Sequence, residues 1–295
     1  MNRPTSTLLV LLATLALALM LAGCSDSESS ATSPDVTTPA TADKDAATAV
    51  AEDLGAEGGG LADQIADFAF AMDEVDAAKN GFEADPNRPH GSIERVYDDA
   101  TGTWTITIER ERGNPEGVPY AFMQRVYTLR FLDAVGEPMQ FRVVDGDTAR
   151  AAEFAIVSGT GEHRTRRLEQ HLTALSGAFV ATGVNTDFVT INGTYHREAG
   201  NHLETPNFSR TLEGVLDLEL VDVVAPRHWR LNHQDAVSGT INGTFSADIT
   251  LERGDDYVED HIDREFTIVF GGGEGELVMN GNVYRLRLGD GELDD

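Results

Sequence analysis

Cysteine is almost absent from this 295-residue chain: Cys24 stands alone, so no disulfide can form within it. Lysine occurs only at Lys44 and Lys79, and the 22 basic residues face 50 acidic ones, a formal net charge of −28. That imbalance excludes nucleic acid and anionic headgroups as partners for the body as a whole, because both would be repelled. The familiar catalytic signatures are missing as well. There is no His-Glu-x-x-His pair, no Gly-x-Ser-x-Gly elbow and no Gly-Lys-Ser or Gly-Lys-Thr phosphate loop. Gly159-Thr160-Gly161 fails as a dinucleotide fingerprint, since Arg164 occupies the position of the third glycine. A binding or structural role is therefore expected ahead of an unrecognised hydrolase or metal-dependent enzyme, and no catalytic residue is assigned.

No apolar run is long enough to span a bilayer, which takes about 20 residues. The longest, residues 8–22, is 15 residues long with Thr14 inside it. It follows a short start carrying Arg3 and ends on small residues before Cys24, the three-part form of a secretory signal over residues 1–23. Leu21-Ala22-Gly23-Cys24 resembles the lipobox of bacterial lipoproteins. The resemblance covers only this segment. It implies diacylglycerol attached to the Cys24 sulfur, cleavage before Cys24, and an N-acyl chain such as palmitate on the new amino terminus. Cys24 is then the lipid attachment site, and the lipid bilayer is a partner through it. Each buried methylene contributes about 0.8 kcal/mol and two chains suffice for stable anchoring. Ser25, second in the mature chain, is compatible with outer-membrane sorting, so the outer membrane, at its periplasmic or surface face, is expected over the inner membrane.

From Cys24 to Gly60 the composition turns to Ser, Thr, Ala, Pro and acids without an aromatic residue, which predicts a flexible acidic tether. Within it, Asp45 to Leu54 could form a transient helix. Leu61, Ile65, Phe68, Met72 and Val75 then recur at spacings of three and four, with Asp63, Asp67, Asp73, Glu74 and Asp76 between them. This predicts an amphipathic helix over 61–80 that packs on a sheet and stops near Asn80-Gly81.

Residues 81–295 read as an antiparallel β domain. Val237, Ile241, Phe245, Ala247, Ile249 and Leu251 share one face, while Ser238, Thr240, Asn242, Thr244, Ser246, Asp248 and Thr250 share the other. Tyr127-Leu129-Phe131, Leu216-Leu218-Leu220 and Phe266-Ile268-Phe270 alternate similarly, and Asn280-Gly281 predicts a tight C-terminal hairpin. A weak repeat runs Gly-Thr-aromatic, polar loop, return strand: from Gly102, Gly193 and Gly243, with return strands beginning at Arg125, Arg210 and Arg264. Its unequal spacing argues for a meander rather than a propeller. The expected fold class is all-β with one short N-terminal helix, as a curved sheet, half-barrel or sandwich of long strands. At Asn192-Gly193 and Asn242-Gly243, glycine within or at the edge of a strand is preferred over a turn.

Four polar constellations are candidates for chemistry. His163, Arg164, Arg166, Arg167 and His171 are the one basic concentration and could hold an anion through guanidinium contacts; neutralisation by surrounding acids is the favoured reading. Glu259, Asp260, His261 and Asp263 offer hard oxygen ligands for calcium without the order of a calcium loop, so a solvated charged hairpin is favoured there. The pairs His196/His202 and His228/His233 are spaced like loop residues rather than a zinc pair. Asp145-Gly146-Asp147 reads most simply as a turn. No cofactor is expected beyond the covalent lipid, and the remaining partners would be another envelope protein or an amphiphile sheltered by an apolar sheet face.

Overall fold

The computed structural model describes residues 39–55, 59–79, 91–226, 238–254, 256–271, 274–287 and 291–294. The signal segment, Cys24, Asn80-Gly81, His228 and His233 lie outside the described residues.

Alternating sequence yields strands: 69% of the chain is strand and 12% helix, in a large antiparallel sheet that is not closed into a barrel. In chain order the strands are β1 (Ser92–Asp98), β2 (Thr103–Gly113), β3 (Tyr120–Leu132), β4 (Pro138–Met139), β5 (Val143–Val144), β6 (Asp147–Thr148), β7 (Ala151–Arg164), β8 (Leu168–Thr182), β9 (Phe188–Thr205), β10 (Phe208–Pro226), β11 (Ser238–Arg253), β12 (Asp256–Gly271), β13 (Glu274–Met279), β14 (Asn282–Arg287) and β15 (Glu292–Asp294). Twelve of them form one meander in the order β1-β2-β3-β7-β8-β9-β10-β11-β12-β13-β14-β15, with β4 beside β3 and β5–β6 apart as a small hairpin. Short connections between sequential neighbours permit only antiparallel pairing. The all-β expectation therefore stands.

The turns follow their residues. Asn280 (φ 50°) and Gly281 (φ 81°) join β13 to β14 between the paired Met279 and Asn282, and Asp145 (φ 50°) and Gly146 (φ 93°) join β5 to β6 in the same way. Both are two-residue turns with positive φ at each central position, which suits the strand twist. The C-terminal hairpin carries the extra strand β15 on its outer side. Asn192-Gly193 and Asn242-Gly243 lie inside β9 and β11, not at turns. At Gly243 an added Cβ would sit 2.3 Å from the Phe266 ring, so the missing side chain is the space that ring occupies.

Two helices lie against one face of this sheet, α1 (Pro39–Leu54) and α2 (Leu61–Lys79). The first corrects an expectation: residues 39–54 belong to a helix, not to the tether. Alanine is the best helix former, and Ala46, Ala47, Ala49 and Ala51, with Val50 and Leu54, are all buried. These small side chains bury against the body what composition alone suggested would stay solvated. A Cβ at Gly60 would lie 2.1 Å from the Asp53 carbonyl oxygen, so the close approach of the chain just before α2 needs glycine there.

On α2 the apolar stripe packs as expected. The Phe68 ring lies 4.8 Å from Phe154, which sits 4.9 Å from Tyr127 and 6.3 Å from Phe179. Its polar side departs from expectation. Gln64 and Asp67 are as buried as the apolar residues, at 0% and 1% exposure, so the acids between the stripe positions do not all face water. Asp63 and Asp67 meet arginines of the sheet.

Candidate functional site

Strand register places three arginines in one row across the inner face, the face against the helices. Arg125 on β3 lies opposite Ile108 and Gly159, Arg197 on β9 opposite Leu175 and Leu216, and Arg264 on β12 opposite Phe245, itself opposite Leu216. Successive arginines are three strands apart, about 14 Å at the usual interstrand spacing. Each meets an aspartate from a helix. Arg125, 1% exposed, donates to Asp63 at 2.6 Å, to Asp67 at 2.8 Å and to the Gly59 carbonyl at 3.0 Å. Arg197 donates to Asp53 at 3.0 Å and to the same Gly59 carbonyl at 3.3 Å. Arg264 donates to Asp43 at 2.6 Å, and the Asn280 and Asn282 amides also reach that carboxylate.

Asp67 is the most crowded acceptor. Besides Arg125 it takes Arg110 at 2.8 Å and the Tyr127 hydroxyl at 2.6 Å, and that hydroxyl also lies 2.7 Å from the Gln64 amide. Burial opposes the charge on Arg125, but Tyr127, Asp63 and Asp67 outweigh it and hold its pKa above the ordinary value. Burial, then the charge of Asp67, pushes the Tyr127 hydroxyl well up, so it stays protonated and donates. Burial also raises the Asp53 carboxyl, an effect Arg197 partly offsets. Removing one partner from such a buried set leaves an uncompensated charge, which typically costs about 3–5 kcal/mol.

Beside the arginine row a cavity of about 680 Å³ remains, bounded by the Gly59 turn, the inner face of β2 to β9 and Leu212 on β10. A second, shallower depression of about 810 Å³ lies across the glycine-thinned middle of β8 to β13, where His196, Asp217, Glu219, Asn242, Thr244 and Glu265 line it.

The outer face of β8 to β12 differs in kind. These strands hold four basic residues, Arg197, Arg210, Arg253 and Arg264, and all four fall on inner-face positions. The outward positions carry mainly acids, hydroxyls and histidines, with Val180, Val221 and Val269 exposed among them. His196 lies 2.7 Å from Asp217 and 3.3 Å from Glu198, and His261 lies 2.7 Å from Asp248 and 3.1 Å from Asp263. Both repeat one pattern: an acid two residues along the strand and another across the ladder. Hydrogen bonding to Asp217 raises the His196 pKa above 6.5, and hydrogen bonding to Asp248 with the charge of Asp263 raises that of His261.

The structure distributes the basic constellation instead of gathering it. His163 and Arg164 are consecutive on β7 and so point to opposite faces. His163 meets Gln170 at 3.3 Å, whereas Arg164 reaches the Pro115 carbonyl, lies 2.6 Å from Glu162 and covers the Tyr120 ring. His171 sits 3.5 Å from Glu213 on the outer face, and Arg166 and Arg167 belong to the exposed turn between β7 and β8. Arg164 and His171 each have one acid beside them, Glu162 and Glu213.

Of the calcium candidates, Glu259, Asp260, His261 and Asp263 are all exposed along β12, where consecutive side chains alternate faces. Among the described residues no group of three or more His, Cys, Asp or Glu side chains converges as a metal-binding set. His196 and His202 are six residues apart on one strand, about 20 Å at 3.3 Å per residue, too far to share an ion. The sequence reading missed Arg125, Arg197 and Arg264 with their aspartates. A signal was present, because Arg125 is in phase with Tyr127-Leu129-Phe131 and Arg264 with Phe266-Ile268-Phe270, positions that alternation marks as dry.

Neither a family model, nor a curated protein, nor a solved structure matches this chain.

Proposed function

We propose that this chain is a lipid-anchored binding module of the bacterial cell envelope, held at the outer membrane through Cys24 and working through its sheet rather than through catalysis. The observation that carries the reading is the occupancy of the inner face: Arg125, Arg197 and Arg264 bind the chain's own helices there. The helices thereby take up much of the inner face that a transported lipid would need. What remains for a partner is the outer face of β8 to β12, free of lysine and arginine and rich in acids, hydroxyls and histidines. Its partner is another envelope component with a neutral or basic contact surface. With α1 starting at Pro39, the sequence left to act as a tether is residues 24–38. As a coil its mean reach is about 20 Å, against about 35 Å for the longer segment, which keeps the body close to its membrane.

Two measurements test this reading. Cys24→Ser should leave an unprocessed precursor without palmitate label, and normal labelling of that variant would overturn the anchor. A photoreactive residue at Glu219 should cross-link one envelope component in intact cells, whereas a probe placed at Arg112, off this face, should not. Equal yields from both positions would overturn the binding surface.

A further inference from the structure

The cavity beside the arginine row exists because of small residues. The inner-face row next to the arginines reads Arg110, Met123, Gly161, Leu172 and Ala199, and Gly161 and Ala199 leave space where larger side chains would close the sheet against the Gly59 turn. Its floor is apolar, formed by Met123, Leu172, Ala199 and Leu212. Its back wall is ionic but already balanced: Arg125 is matched by Asp63 and Asp67, and Arg197 by Asp53. A ligand carrying a net charge would have to compete with these partners for the wall, which is costly. A wholly polar ligand would leave the floor without a partner.

Two hydrogen-bonding atoms on residues of the lining are left over. Arg125 Nε, on a side chain 1% exposed, and Asn201 Oδ1 are both buried without a partner among the described residues. One donates and the other accepts. Buried polar atoms are seldom left so; a small movement of the lining side chains would bring this pair to the cavity, where a group carrying both an acceptor and a donor would satisfy it.

We propose that this cavity binds a small uncharged amphiphile, with a hydrocarbon or aromatic body on the Met123, Leu172, Ala199 and Leu212 floor and a hydroxyl, arylamine or amide group toward Arg125 and Asn201. The volume of about 680 Å³ falls within the range of small-molecule sites, about 300–1,000 Å³. This site is independent of the Cys24 anchor and of the outer-face partner, and it can fail while both of those stand.

Two naphthalene dyes that differ in a single charged group test it. N-phenyl-1-naphthylamine is uncharged and carries one N–H; 8-anilinonaphthalene-1-sulfonate has the same rings and N–H plus a sulfonate. The purified chain should bind the neutral dye at one site with blue-shifted emission, and the sulfonated dye at least tenfold more weakly. Ala199→Phe and Ala121→Leu, which fill the cavity from two sides, should each weaken the neutral dye at least tenfold while the circular dichroism stays native. No binding of the neutral dye, equal binding of both dyes, or unchanged binding in a folded filled variant would each overturn the proposal. The dye pair decides even if neither variant folds.

Discussion

The two faces of the β8–β12 sheet use the same kind of contact to different ends. On the inner face, cations of the sheet meet aspartates of the helices: Arg197 with Asp53, Arg264 with Asp43, and further along Arg125 with Asp63 and Asp67. On the outer face the cation is histidine, and its acids come from the same or the next strand. Water separates the two cases. Buried guanidiniums have no solvent to fall back on, so each pair ties two elements together and its loss is expensive. Exposed imidazoles are well hydrated, so their pairs contribute little to stability and serve mainly to set the pH at which they charge.

The largest effect should come from the inner face. Arg125→Met is expected to lose about 3 kcal/mol in urea unfolding, because Asp67 would stay buried with only the half-exposed Arg110 as its cation and Asp63 would lose its closest partner. Combining it with Asp67→Leu should recover much of that loss. A single variant costing less than about 1 kcal/mol would remove the distinction between the faces.

Next comes packing. Gly243→Val drives a side chain into the Phe266 ring and should cost about 1–3 kcal/mol, whereas Thr244→Val, one residue along and facing outward, should stay within about 0.5 kcal/mol. Equal costs would mean that Phe266 does not depend on that space.

The smallest effects belong to the histidines. Their folded-state pKa values are raised, so any stability they contribute is fully present below pH 6.5 and fades as the pH climbs through the folded values. Imidazole chemical shifts should show His196 and His261 titrating above 6.5. Asp248→Asn should bring the His261 midpoint down toward 6.5, and Asp217→Asn should do the same for His196. An unmoved midpoint would show that the cross-strand acid is not what holds the proton. Thermal unfolding of the Asp217→Asn protein should differ from the parent by about 0.5 kcal/mol or less.

Much of the sheet was legible in the residues. Alternation marked the buried faces of β2, β3 and β10 to β12, and Asn280-Gly281 announced its turn through the positive φ it tolerates. The meander was legible from the Gly-Thr-aromatic repeat, whose copies begin or traverse β2, β9 and β11. The Ala- and Gly-rich strands β7 and β8 were harder, since small residues carry little face contrast. Helix α1 was only half legible, because alanine favours helix without saying whether anything will cover it. The candidate site was read least well. Each of its arginines was visible as a cation out of phase with polar positions, but an isolated reading of charge assigns such a residue to solvent.

By itself the sequence determined the class of the body, the buried face of the strands that alternate clearly and the turn at Asn280-Gly281, because these depend on neighbours a few residues away. Tertiary structure alone decided that the apolar side of α1, from Ala46 to Leu54, is buried, that Asp67 lies in the interior and that a cavity remains beside the arginines. Arg125 and Asp67 are 58 positions apart and Arg264 and Asp43 are 221 apart. Ion pairs over such separations arise only once twelve strands have taken their register, and no local periodicity encodes them.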